Sequence, residues 1–192
     1  VAAGASIHTT GNSTLTLHNT KLTNNGTLND ANGTLLLTVN ATTANIAIAG
    51  TGTTTLKNLS INKSSNNAQL KKNIVVNGNL SLTSGGMELF SGNIDLGTTG
   101  LLLSETEVNR LFGAGGTIRV TANLNAPNAV KPGNLGAEIT STQNLGSTVI
   151  IRGHQQFSQT GNSILRYFDI TPSNNTSLNA TLRFYYLDAE IN

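Results

Sequence analysis

Short apolar motifs of three residues recur along the first half of the chain at a nearly constant spacing. Within a motif the outer residues are apolar and the middle one is often polar, a period of two that points neighbours to opposite faces of a strand. The motif centres, at residues 16, 36, 60, 81 and 102, are separated by 20, 24, 21 and 21 residues. Such a repeat predicts a stacked solenoid, in which each coil buries its apolar face against neighbouring coils. The motifs are Leu15–Leu17, Leu35–Leu37, Leu59–Ile61, Leu80–Leu82 and Leu101–Leu103.

Two further sets of short apolar motifs lie between these, so that each coil has three strands. Three strands in a coil of about 21 residues predict a right-handed parallel β-helix. We expect inward leucines to stack in ladders, with Leu36, Ile61, Leu82 and Leu102 along one axis. The two further sets are Thr54–Leu56, Ile74–Val76 and Ile94–Leu96, and Ile46–Ile48, the region of Leu70 and Met87–Leu89.

The segments that connect the motifs are rich in glycine and asparagine, as in Asn77–Gly78 and Ser84–Gly86. Solenoid corners need residues that accept left-handed backbone angles, which Gly and Asn do at low steric cost. The apolar runs also stop after three residues, whereas an amphipathic helix would continue its apolar face. The connecting segments therefore favour tight corners over helices.

The composition changes near residues 104–116, because nearly all aromatic residues follow that point. We predict parallel β-helix coils in residues 1–104 and a mainly antiparallel β module in residues 105–192 that caps or extends them. The segment Ser104–Phe112 fits one helical turn, with Ser104 as N-cap and Glu107 completing a capping box. The longer strand candidates of the second part are 117–124, 137–142, 147–157, 163–171 and 179–191.

The chain is poor in charge, with 10% charged residues against about 25% in ordinary soluble domains. More than a quarter of it is Asn or Thr. The isoelectric point is near 9.1 but the net charge is only +2, and the cations are scattered. Nucleic-acid binding is disfavoured, because it needs a basic cluster that neutralises several phosphates.

Other features that the sequence lacks exclude further kinds of protein and of site. Cysteine is absent, which removes disulfides and thiolate metal sites. No apolar run approaches the roughly twenty residues of a membrane-spanning helix. The chain begins at Val1 without a leader, so we expect a mature product or a part of a longer polypeptide.

The acidic residues do not predict an enzyme. Parallel β-helix enzymes that act on polysaccharides use Asp clusters with Ca²⁺ or paired carboxylates. Glu88 and Asp95 fall on different faces of one coil. Asp188 and Glu190 share one face of a strand, and such a pair more often keeps an exposed strand edge hydrated than forms a site. No Gly-x-Ser-x-Gly elbow occurs, and a hydroxyl without a base is not a nucleophile. The histidines lack the spacing of metal ligands, so neither metal nor cofactor is predicted; they are His8, His18 and His154.

Arginine and tyrosine residues of the second half form a candidate binding surface, because these residue types commonly anchor binding sites. The alternative, which we favour, is that the arginines bridge the cap to the solenoid by pairing with Asp169, Asp188 or Glu190. The candidate residues are Arg152, His154, Arg166, Tyr167, Arg183, Tyr185 and Tyr186.

Several separated motifs in residues 75–192 occur in the order found in a known group of proteins. They are Gly78–Leu89, Gly133–Gly136, Ile151–His154, Ile164–Pro172 and Leu178–Phe184, followed by Asp188–Asn192. Together they resemble a module of large secreted and surface proteins from gliding bacteria that use type IX secretion. The resemblance implies an exported, adhesin-like or scaffold segment. Members of that group often end in a separate sorting domain, which this sequence lacks.

We therefore predict a non-catalytic structural or adhesive segment of an exported or cell-surface protein, with surface glycans or other copies of the chain as partners. The alternatives are a carbohydrate-binding module and a fragment of a β-helix enzyme that acts on polysaccharides. Ice binding is disfavoured, because the threonine rows of Thr14–Thr16 and Thr53–Thr55 do not continue into later coils such as Asn79–Ser81.

Overall fold

The computed structural model describes residues 1–18, 21–38, 45–156 and 163–191. The fold is all-β, with 54% of the described residues in strands and 3% helical. A parallel β-solenoid of about five turns is followed by antiparallel strands at the C-terminal end. The predicted parallel β-helix and antiparallel C-terminal module are confirmed.

Most of the parallel strands have two to six residues, and the longest has 12. They are β1 (Ser6–Thr9), β2 (Thr14–His18), β3 (Leu22–Thr23), β4 (Thr27–Thr38), β5 (Ile46–Ala49), β6 (Thr53–Asn62), β7 (Ala68–Leu70), β8 (Ile74–Val76), β9 (Asn79–Ser84), β10 (Met87–Leu89), β11 (Ile94–Asp95), β12 (Leu101–Leu103), β13 (Leu111–Phe112) and β14 (Thr117–Asn125). The remaining elements are a 3₁₀ turn (Pro132–Asn134), β15 (Ala137–Ser141), β16 (Asn144–Gly153), β17 (Tyr167–Pro172), β18 (Ala180–Phe184) and a 3₁₀ turn (Asp188–Glu190).

Three sheets organise these strands. The largest has the order β1-β4-β6-β8-β11-β14-β16-β17, with β2, β9 and β12 paired beside it, and its strands are parallel up to β14. The second sheet, β13-β10-β7-β5-β3, is parallel throughout. Strand β16 runs antiparallel to β14, and β15 pairs with β18 in a third, antiparallel sheet. The chain direction therefore changes at β16, where the solenoid ends.

Leucine ladders fill the solenoid, but their register differs in part from the prediction. Leu35, Leu59, Leu80 and Leu102 are paired from coil to coil and all are buried, with offsets of 24, 21 and 22 residues. A second buried ladder runs through Leu37, Ile61 and Leu82. Leu36 instead pairs with Ser60 on the outward face, so the expected single axis through Leu36, Ile61, Leu82 and Leu102 is wrong. In Leu101–Leu103 the middle residue, Leu102, faces inward. The register of this motif is therefore shifted by one residue from that of the other motifs, and such a shift exchanges the two faces of a strand.

Asparagine side chains extend the backbone ladder at the corners. The Oδ1 atom of Asn58 accepts the amide of Asn79 at 2.9 Å. The Oδ1 of Asn73 accepts the amide of Asn93, and that of Asn93 accepts the amide of Thr117, each at 2.9 Å. An amide side chain repeated from coil to coil thus supplies an acceptor where the corner backbone cannot.

The C-terminal module shares one hydrophobic core with the last coil. Leu135, Ile139 and Ile150 are buried in the same cluster as Leu102 and Ile118. Parallel pairing itself crosses residue 104, since β13 and β14 still pair in parallel with β10 and β11. The division into domains at residue 104 stays a prediction.

Several predicted elements differ from the structure. Residues 104–112 contain no helix; Ser104 has a left-handed φ of 61° and the chain then bends. The candidate strand 147–157 is Asn144–Gly153, and Phe157 lies outside the described residues. Candidates 163–171 and 179–191 shorten to β17 and β18, and the chain after β18 ends in a 3₁₀ turn.

Candidate functional site

Three of the seven predicted binding residues are buried together instead of exposed. Arg152 is 0% exposed, His154 5% and Arg166 6%. They meet Glu105 and Glu190 beneath the C-terminal module. We call Glu105, Arg152, His154, Arg166 and Glu190 the charge cluster.

Arg152 is held by a bidentate ion pair. Its Nη1 and Nη2 donate to the two carboxylate oxygens of Glu105 at 2.8 and 2.7 Å, and Nη1 also donates to the carbonyl of Leu135 at 3.0 Å. Bidentate arginine–carboxylate pairs fix orientation as well as charge. The side chain is fully buried, so its hydrogen bonds are part of the fold.

Arg166 makes the second pair of the cluster. Its Nε and Nη2 donate to one oxygen of Glu190 at 3.1 and 2.7 Å, and its Nη1 donates to the carbonyl of Tyr185 at 2.9 Å. Nη2 also lies 3.5 Å from the Glu105 carboxylate, which links the two ion pairs. The other Glu190 oxygen accepts the amide of Leu187. The final turn of the described chain is thereby fastened to the rest.

Glu105 occupies the segment for which a helical turn was predicted. Burial favours its neutral form, but the charge and hydrogen bonds of Arg152, the charge of Arg166 and the amide of Leu111 hold the pKa of Glu105 below its usual value. Glu107, the predicted capping residue, instead accepts the amides of Asp188 and Ala189 at 3.0 and 2.9 Å. These distant partners explain why the local helix signal fails here.

His154 is a neutral acceptor in this cluster. Its Nε2 accepts a hydrogen bond from Nε of Arg152 at 3.1 Å, which places the ring proton on Nδ1. Burial, with the charges of Arg152 and Arg166, lowers the pKa of His154 well below its usual value of 6.5. A neutral ring gives the cluster two positive and two negative charges.

The other predicted residues lie nearer the surface. Tyr185 is 40% and Tyr186 51% exposed, and the Arg183 side chain is 69% exposed. Tyr167 is half-buried, with its ring against the backbone of Gly153, where a Cβ would lie 2.0 Å from the ring. The structure therefore separates the seven residues into three that are buried, three that are exposed, and Tyr167 between them.

An exposed constellation surrounds Glu138, and we call Lys131, Glu138, Arg183 and Tyr185 the tyrosine surface. The Tyr185 hydroxyl donates to Glu138 at 2.9 Å, and Arg183 and Lys131 lie 3.2 and 3.4 Å from its carboxylate. The Tyr185 hydrogen bond, followed by the two cations, lowers the pKa of Glu138. The Lys131 ammonium lies 4.7 Å from the centre of the Tyr185 ring. The contacts with Glu138 and Lys131 thus hold the Tyr185 ring in place on the surface of the protein.

The remaining acidic residues make individual contacts. Glu88 accepts a hydrogen bond from Gln69 at 2.8 Å, and Asp95 pairs with Arg119 on the solenoid. Among the residues that the structure describes, no three His, Cys, Asp or Glu side chains are grouped so as to hold a metal ion.

The chain matches no known protein-family model, and no curated protein or solved structure is detectably similar to it. In the described ranges there is no helix with the length and apolar character needed to cross a membrane.

Proposed function

We propose that the chain is a non-catalytic structural or adhesive segment of an exported or cell-surface protein, and that the tyrosine surface is its contact with surface glycans. The observation that carries this proposal is the fixed position of the exposed Tyr185 ring, which is anchored through Glu138 and flanked by Lys131. A preorganised aromatic ring with cations beside it offers contact area at low entropic cost.

The buried arginines support a structural role for the rest of the module. Arg152 and Arg166 donate hydrogen bonds to carboxylates and backbone carbonyls inside the protein. They therefore stabilise the C-terminal module and are not available to a ligand. A rigid module on a rod-like solenoid suits a segment that displays a contact surface. The resemblance to secreted and surface proteins of gliding bacteria favours the same role and an extracellular location.

Self-association is a second candidate function. Strands β1, β2 and β3 each have one paired neighbour within the described part of the chain, where their second edges are unpaired. Free strand edges are templates for pairing with another chain. Sedimentation measured over a range of concentrations separates this function from adhesion by a monomer.

The adhesive proposal is tested by substituting Tyr185→Ala and measuring binding of the chain to a glycan array. We expect the bound glycans to be retained about tenfold more weakly. The thermal midpoint should change little, because the side chain is partly exposed.

Phe90→Ala is the matched control. Phe90 is 54% exposed on the solenoid, and the Lys71 ammonium lies 4.9 Å from its ring, so it repeats the aromatic–cation pair elsewhere. Equal losses in the two variants, or no glycan bound by the unaltered chain, contradict the proposal.

A further inference from the structure

A groove lined by both polar and apolar residues runs across neighbouring strands on the outer face of the largest sheet. It has a volume of about 610 Å³, follows β6, β8, β11 and β14 along the solenoid, and ends at Ile151 of β16. Because residues alternate between faces, the side chains of Thr54, Ile74 and Ile94 are buried inward, although these residues also border the groove. The side chains of their neighbours face outward into it. Two outward rows result, Thr53, Asn73, Asn93 and Thr117 in one and Thr55, Val75, Asp95, Arg119 and Ile151 in the other.

The first row presents hydrogen-bond donors at intervals of one coil. The Oδ1 atoms of Asn73 and Asn93 are occupied by the corner ladder. Their NH₂ groups have no hydrogen-bond partner among the residues that the structure describes. Each asparagine is therefore fixed by its oxygen and keeps two donors for a ligand.

The second row combines a charge pair with an apolar floor. Arg119 donates to one oxygen of Asp95, whose other oxygen accepts the amide of Gly97 at 2.9 Å. The Arg119 side chain is 53% exposed. Val75 and Ile151 are half-buried on either side of this pair. Such a surface can hydrogen-bond hydroxyl groups and pack against the C–H faces of a sugar.

We infer that this groove binds an extended, hydroxyl-rich polysaccharide chain that lies along the solenoid axis, with one sugar unit on each coil. Neighbouring strands are about 4.8 Å apart, so the four strands span roughly 14 Å. One step is similar to the length of a pyranose unit in an extended glycan. The spacing of the donors from coil to coil thus matches the spacing of the sugar units along such a ligand.

Two other ligand classes fit the groove less well. An extended peptide binds a sheet by pairing with a free edge, whereas β6, β8, β11 and β14 each have a paired strand on both sides. Ice requires flat, uninterrupted threonine rows, and Val75, Asp95 and Arg119 interrupt the second row. The groove is also separate from the tyrosine surface, so this inference extends the proposed function to a second site.

The length dependence of affinity tests the register. Calorimetric titration uses cello-, chito- and galacturono-oligosaccharides from the dimer to the hexamer. For at least one series we expect the dissociation constant to fall about tenfold or more from dimer to tetramer. It should then change little from tetramer to hexamer, because the row of hydrogen-bonding side chains has four members and ends at Thr117. Absence of binding in all three series, or an affinity that does not depend on length, overturns the inference.

Substitutions locate the bound chain. Val75→Trp fills the groove and should weaken tetramer binding at least about tenfold. Ser81→Trp is the matched control, because Ser81 is also a half-buried outward residue, on β9 outside the groove, and it should leave the affinity unchanged. Equal affinities of the two variants contradict the site.

A second substitution removes the donors with minimal change in shape. Asn73→Asp and Asn93→Asp keep an oxygen for the corner ladder and delete the NH₂ groups, so they should weaken binding while the fold is retained by circular dichroism. Unchanged binding overturns the assignment even if Val75→Trp fails to fold. If Tyr185→Ala is the only variant that loses glycan binding, the adhesive proposal stands and the groove is not a binding site.

Discussion

The solenoid and the C-terminal module are stabilised in different ways. In the solenoid, Leu59 and Leu80 are each covered by a leucine in the coil on either side, and Ile61 is likewise covered by Leu37 and Leu82. In the module, Arg152 and Arg166 each have a particular carboxylate partner and no equivalent elsewhere in the described chain. A repeated apolar contact distributes stability over many positions, whereas a buried charge cluster concentrates it in a few. Removal of one side chain from the charge cluster should therefore lower the free energy of unfolding by more than the size of that side chain suggests.

The largest expected effect comes from Glu105→Ala. This substitution leaves the fully buried Arg152 guanidinium without its carboxylate, which typically lowers the free energy of unfolding by about 3–5 kcal/mol. Denaturant unfolding measures the change. Arg119→Ala, which breaks an exposed ion pair, is the control and should cost about 0–1 kcal/mol. Similar costs for the two variants would remove the contrast between the regions.

A pair of adjacent leucines tests the solenoid side of the comparison. Leu102 is 3% exposed in the inward ladder and Leu101 is 38% exposed on the other face of the same strand. Leu102→Ala should cost about 2–5 kcal/mol of unfolding free energy. Leu101→Ala should cost within about 0.5 kcal/mol. The reverse order in thermal or denaturant unfolding would mean that the register of β12 is shifted by one residue.

The smallest expected effect concerns pH. His154 in the folded chain takes up a proton only well below its usual pKa of 6.5, while the unfolded chain takes it up near that value. The unfolded state then binds more protons, so stability falls as the pH decreases below about 6.5. The lowered pKa of Glu105 adds a loss of the same sign below about 4.5.

His154→Gln keeps an acceptor for Arg152 but cannot titrate. The fall in thermal midpoint between pH 7 and pH 5 should therefore be smaller than in the unaltered chain. His8→Gln, which changes an exposed histidine, is the control for the substitution itself. If His154→Gln does not reduce the pH dependence relative to this control, protonation of His154 does not affect stability between pH 7 and pH 5.

The sequence alone determined the coiled part of the fold. A strand exposes alternate residues to opposite faces, and a coil needs the same inward residues at each turn, so both periods are visible along the chain. The register was predictable where a polar residue separates two apolar ones, as in Leu59–Ile61 and Leu80–Leu82. In Leu101–Leu103 all three residues are leucine, and only pairing with β9 decides which one faces inward.

The site depended on tertiary structure. The arginines were selected from the sequence and Glu190 was named as a partner, but nothing local distinguishes Glu105, whose pairs with Arg152 and Arg166 join positions 47 and 61 residues apart. The same holds for the groove, whose rows are assembled from four coils. Periodic burial is a property of neighbouring residues and is therefore readable in sequence. Charge pairing at a distance depends on which segments the completed fold brings together.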